Sequence, residues 1–60
     1  MGMFDAVDIH ESGNYKILIG SPKDLVKAVD KSINDGWMPV GSAVKYAMSD
    51  SRMSQTMMKH

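Results

Sequence analysis

One fully punctuated helix constrains what this chain can fold into. Ser21 is a good N-cap, Pro22 suits the first helical position, and Asp24 at N3 completes a capping-box-like arrangement at the positive end of the helix. Leu25, Val26, Val29 and Ile33 recur at helical spacing and make one apolar stripe, while Lys23, Lys27, Lys31, Asp24, Asp30 and Asp35 fill the remaining circumference. Gly36 ends the helix, since only glycine takes the left-handed C′ conformation without steric cost. Trp37 follows at C″, where a side chain folds back on the last turn.

Strand signals flank this helix. Tyr15 to Ile19 (YKILI) is a β-branched and aromatic run ended by Gly20, with Tyr15, Ile17 and Ile19 on one face and Lys16 and Leu18 on the other. A second strand spans about Val40 to Ala47, with Pro39 at its start, where a missing donor does least harm. The polar cluster Ser49, Asp50 and Ser51 marks a hairpin loop. Arg52 to Lys59 forms the third strand, in which Met57 and Met58 are adjacent, so one of them faces away from the helix. The order β-α-β-β predicts an α+β fold: a three-stranded sheet with one helix packed on one face. A right-handed crossover sets the first two strands parallel, with the third antiparallel between them or at an edge. Residues 1–14 carry Phe4, Val7 and Ile9 among Asp5, Asp8, His10 and Glu11 and read as a partly ordered N-terminal arm, the alternatives being a short edge strand or a contact with a neighbouring subunit; residues 15–60 are the domain. Ser12, Gly13 and Asn14 mark a turn between them.

The chain has 60 residues and no cysteine, and a domain this small removes only about 60% of its unfolded surface from water. Without a disulfide or a clustered His/Asp/Glu set for a structural metal, oligomerisation is the remaining common supplement, so a homo-oligomer is expected. Seven basic and seven acidic side chains give a net charge of zero, which argues against a binder of nucleic-acid backbone. No apolar run approaches the ~20 residues of a membrane span, and residues 1–12 lack the basic start and apolar centre of a signal peptide, so the expected location is the cytoplasm.

Tyr15 to Gly20 (YKILIG), the Ser-Pro helix start, the GWMPVG turn from Gly36 to Gly41 and the closing QTMMK from Gln55 to Lys59 together resemble the small bacterial and phage family called domain of unknown function 1737. Its pattern is a Tyr-Lys strand, a charged helix, a Gly-Trp-x-x-x-Gly-Gly turn and a final strand ending in Gln-Ala-Met-x-Lys. The resemblance covers residues 15–60; Ser42 stands for the family's second glycine and Thr56 for its alanine. It implies a β-α-β-β fold and no defined chemistry. By analogy with small phage proteins it implies binding to a host component rather than catalysis.

Candidate sites follow from local chemistry. Gly20, Ser21 and Lys23 place a strand end, free backbone N–H groups, a hydroxyl and a charge at a helix start, a combination suited to a phosphate; the plain alternative is a cap that Ser21 and Asp24 already satisfy. Trp37 and Tyr15 offer faces for a nucleobase, the alternative being core packing, and Tyr46 suits either role. Arg52 offers a guanidinium. Lys23, Lys27 and Lys31 line up on the helix but are neutralised by neighbouring aspartates. Met48, Met53, Met57 and Met58 suit a flexible core better than a soft-metal site, and His10 and His60 lack positioned partners. No nucleophile with a held base is evident, so no enzyme, cofactor or metal is expected. The leading expectation is a homo-oligomeric module, phage-derived, that captures a small phosphate-bearing ligand such as a nucleotide with Gly20, Ser21, Lys23, Trp37 and Arg52. The alternative is a protein-interaction module or inhibitor that docks on a host protein through an exposed sheet face. Either way the subunit contact is expected on the face opposite the helix, assigned to Leu18, Ala43, Met53 and Met57.

Overall fold

The computed structural model describes residues 7–46 and 51–60. Five elements follow one another: β1 (Asp8–Ser12), β2 (Tyr15–Gly20), α1 (Pro22–Asn34), β3 (Met38–Lys45) and β4 (Met53–Met58). They form an α+β fold in which one helix covers a four-stranded antiparallel sheet of order β1-β2-β4-β3. β4 lies between β2 and β3 and runs antiparallel to both, so those two are parallel to each other, as the crossover requires.

The fourth strand corrects the expected three. Asp8–Ser12 is not a loose arm but an edge strand, paired from Asp8↔Ile19 to Ser12↔Tyr15. A two-residue turn joins it to β2, and Gly13 supplies the positive φ of 60° that so tight a hairpin needs. The arm escapes a hydrophobic reading because every residue of β1 is exposed and its order comes from main-chain pairing. Residues 1–6, including Phe4 and Asp5 of the arm, and 47–50, including Ala47, Met48, Ser49 and Asp50 of the expected strand end and hairpin loop, lie outside the described residues.

The helix ends are built as the sequence indicates. Ser21 caps the start, with its Oγ accepting from the Asp24 N–H at 3.4 Å and donating to Asp24 Oδ2 at 2.9 Å. At the other end Gly36 takes φ 99°, its N–H donates to the Ile33 carbonyl at 3.1 Å, and the Trp37 N–H reaches back to the Ser32 carbonyl at 2.9 Å. That pair of bonds is a Schellman motif, which satisfies carbonyls the helix would otherwise leave free.

The buried face of α1 differs from the apolar stripe. Leu25, Ala28 and Ser32 are buried against the sheet, with Val29 partly so, whereas Val26 is 68% exposed and Ile33 is also exposed. The helix is turned so that its small residues meet the strands. Small side chains let the backbone approach the sheet closely, and the bulkier Val26 and Ile33 are left at the flank. The core beneath consists of Val7, Leu18, Leu25, Ala28, Trp37 and Met57, with Val29, Ala43 and Met53 packed against it.

Two extra residues enter β3. Val40 pairs with Thr56 and Val44 with Ser54, so residues 41–43 oppose residue 55 alone. Because the insertion is even, Val40 and Val44 stay on one face of the sheet. The bulge is held by Gln55, a buried side chain whose amide nitrogen donates to the carbonyls of Val40 (3.3 Å), Gly41 (3.2 Å) and Thr56 (3.0 Å). Gly41, at φ 71°, provides the positive dihedral inside it.

Candidate functional site

The register of the strands decides which residues face which way. Directly opposed residues share a face, so Lys16, Leu18 and Gly20 of β2 lie on the helix side with Met57, Gln55 and Met53 of β4. This overturns the expected subunit contact. Leu18 and Met57 are both 0% exposed beneath the helix, and Ala43 and Met53 pack against the same core. Leu18 and Met57 are therefore wholly inside the monomer, and Ala43 and Met53 are partly buried on the helix side rather than on the opposite face. The difference has a physical reason: Ile17 and Leu18 are equally apolar, and the pairing of Leu18 with Gln55 turns Leu18 toward Leu25 and Ala28 in the core. Of the two methionines, Met57 faces the helix and Met58 faces away, so they cannot share a soft-metal site.

The uncovered face is instead made of the complementary set. Tyr15 and Ile17 pair with Met58 and Thr56, and Ile19, which lies on the same side but is only 6% exposed, pairs with Ser54; beyond them Met38 and Val40 pair with Met58 and Thr56, while Val44 pairs with Ser54. Tyr15, Met38, Val40, Val44 and Met58 are exposed, as is Tyr46, whose N–H donates to the Arg52 carbonyl at 3.0 Å. Among the described residues, no element packs on this face; α1 contacts the sheet from the other side only. Among the described residues, its charged strand-side groups are Asp8 and Arg52, which pair with each other at 2.9 Å, and Arg52 also donates to the Ile19 carbonyl at 3.2 Å. Arg52 Nε is buried without a hydrogen-bond partner among the described residues.

The expected phosphate site comes together only in part: Gly20 pairs with Met53, next to Arg52, whose guanidinium reaches the Ile19 carbonyl, while Trp37 lies elsewhere. Ser21 and Asp24 satisfy one another at the helix start, Gly20 is buried, and Lys23 projects from an exposed position. Arg52 is engaged by Asp8 across the sheet. Trp37 lies at the far end of the helix from Ser21, some ~20 Å away along thirteen helical residues, and is only 4% exposed. Buried to that degree, its ring is not a platform for a nucleobase, and Gly20, Ser21, Lys23, Trp37 and Arg52 do not form one cluster.

Trp37 has partners the sequence did not reveal. The Lys16 ammonium lies 4.3 Å from the centre of its ring and that of Lys59 lies 4.7 Å from it, both within cation–π range. The three residues are brought together by the start of β2, the helix exit and the end of β4, where the Lys59 N–H also donates to the Asn14 carbonyl at 2.9 Å. A Tyr-Lys pair at a strand start and a Lys at a strand end are adjacent only after β2 and β4 pair, which is why linear spacing could not show it.

The helix flank leaves one further feature, a groove of about 360 Å³ lined by Leu25, Val26, Val29, Ile33, Ala43 and Gln55. Among the described residues, no group of three or more His, Asp or Glu side chains is placed to hold a metal ion, and no helix is long and apolar enough to cross a membrane. The chain matches no protein-family model, and searches of curated proteins and of solved structures return no match to it.

Proposed function

We propose that this chain is a protein-interaction module rather than an enzyme, and that it works as a homodimer in which two copies meet through their uncovered sheet faces. The observation that carries this reading is the exposure of Tyr15, Met38, Val40, Val44 and Met58 on one side of a sheet whose other side is covered by the helix. Contiguous apolar surface of this kind is rare on monomers and marks an interaction site. Three further features favour a second copy as the occupant. Among the described residues, the charges on the face, Asp8 and Arg52, neutralise each other, so that this part of the face meets itself without like-charge repulsion. The molecule measures 32 × 27 × 17 Å, and a broad side of that size offers about the 800 Å² per partner of a standard interface. Finally, a 60-residue chain without cysteine gains from association the burial its own core cannot supply.

The direct test is to follow amide NMR signals during dilution from millimolar to micromolar protein. Dimerisation through this face predicts shifts at Tyr15, Ile17, Val40, Val44 and Thr56, with Ala28 and Ser32 unmoved. Shifts confined to α1 would refute the assignment, and a spectrum independent of concentration would return the same face to a different protein partner.

A further inference from the structure

The Lys16, Trp37 and Lys59 cluster lies on the helix side of the sheet, away from the proposed dimer face. Lys16 is 7% exposed as a whole residue, so its stem is covered, and among the described residues its ammonium enters no ion pair. Glu11, its cross-strand neighbour, does not come within pairing distance, and the nearest pair on the helix exit, Lys31 with Asp35, is closed on itself at 3.0 Å. Both ammonium groups converge on one ring, so they are no further apart than about 9 Å, the two ring distances laid end to end. Two like charges within about one Debye length repel at physiological salt, and the aromatic face offsets only part of that.

We propose that Lys16 and Lys59, which converge on Trp37, form an anion-binding site that accepts a doubly charged oxyanion of the phosphate class. A phosphate group carries close to two negative charges at neutral pH, matching the two ammoniums, and its separate oxygens can accept from each lysine at the short distances of charge-assisted bonds. Lys16 is held by its buried position in β2, so part of the ordering cost of binding is met before the anion arrives.

Trp37 is the single tryptophan of the chain, so its fluorescence reports on this site alone. Inorganic phosphate, titrated against sodium chloride at matched ionic strength, is expected to give a saturable change in emission that chloride does not. Lys59→Met keeps the stem and removes the charge, and is expected to weaken the phosphate response about tenfold. Lys16→Met is expected to do the same, with far-UV circular dichroism confirming the fold. Lys23→Met, at the helix start, is expected to leave the response unchanged. The proposal is overturned by a response equal to that of chloride, by an unchanged phosphate affinity in folded Lys59→Met, or by loss of the response in Lys23→Met, which would return the anion to the helix N-terminus.

Discussion

The side-chain amide of Gln55 donates to the main-chain carbonyl of Gly41 at 3.2 Å, from a buried position in β4 across to the bulge in β3. With the bond to Val40 it satisfies carbonyls that the two extra residues displace from the ladder. The bulge matters to the proposed interface because it carries Val40 and Val44 on the same face.

Gln55→Ala leaves those carbonyls without their donor and is expected to cost about 1–3 kcal/mol in urea unfolding, with increased amide exchange in β3. A loss below about 0.5 kcal/mol would mean that the bulge is held by other contacts.

The orientation of α1 makes opposite predictions for two of its residues. Ala28 is buried against the sheet, so Ala28→Leu overpacks a close contact and is expected to destabilise by about 1–3 kcal/mol. Val26→Ala, at a position 68% exposed, is expected to stay within about 0.5 kcal/mol of the parent. Equal effects at the two sites in thermal unfolding would show that the helix presents the stripe face after all.

How much of this was legible in the sequence depends on the range of the interaction. The helix ends were fully so: Ser21, Pro22, Asp24, Gly36 and Trp37 act within a turn of one another, and each does what its local chemistry requires. The facing of β2 was not, because Ile17 and Leu18 are equally apolar and only the register with Met57 and Gln55 assigns Leu18 inward. β1 is legible only as one alternative for the arm, because its five residues are all exposed and only Gly13 and Asn14 mark the turn that forms it. The lysine and tryptophan cluster depends on three elements meeting, a relationship no local pattern carries.

Leu18 distinguishes core from interface. Leu18→Ala is expected to cost about 2–5 kcal/mol, by the lost burial and the cavity left beneath α1, in chemical denaturation. The loss should be the same at low and high protein concentration, and a strong concentration dependence would place this residue between subunits.

The Asp8 and Arg52 pair ties the edge strand to β4. Both side chains are substantially exposed, so a double-mutant cycle with Asp8→Ala and Arg52→Ala is expected to give a coupling of only about 0.2–1 kcal/mol that fades with added salt. Arg52→Ala alone should cost more than Asp8→Ala, since it also removes the bond to the Ile19 carbonyl. A cycle with no coupling at low salt would remove the pair from the account of how β1 is held.

Sedimentation equilibrium on the parent chain and Val44→Asp tests the central claim most directly. Val44 is 56% exposed in the monomer, so the substitution leaves the core intact while burying a carboxylate in any interface formed by the open face. The account predicts a parent mass of twice 6.6 kDa at high concentration and a folded Val44→Asp that stays at 6.6 kDa. A parent that remains monomeric throughout, or a Val44→Asp that dimerises equally well, would contradict it.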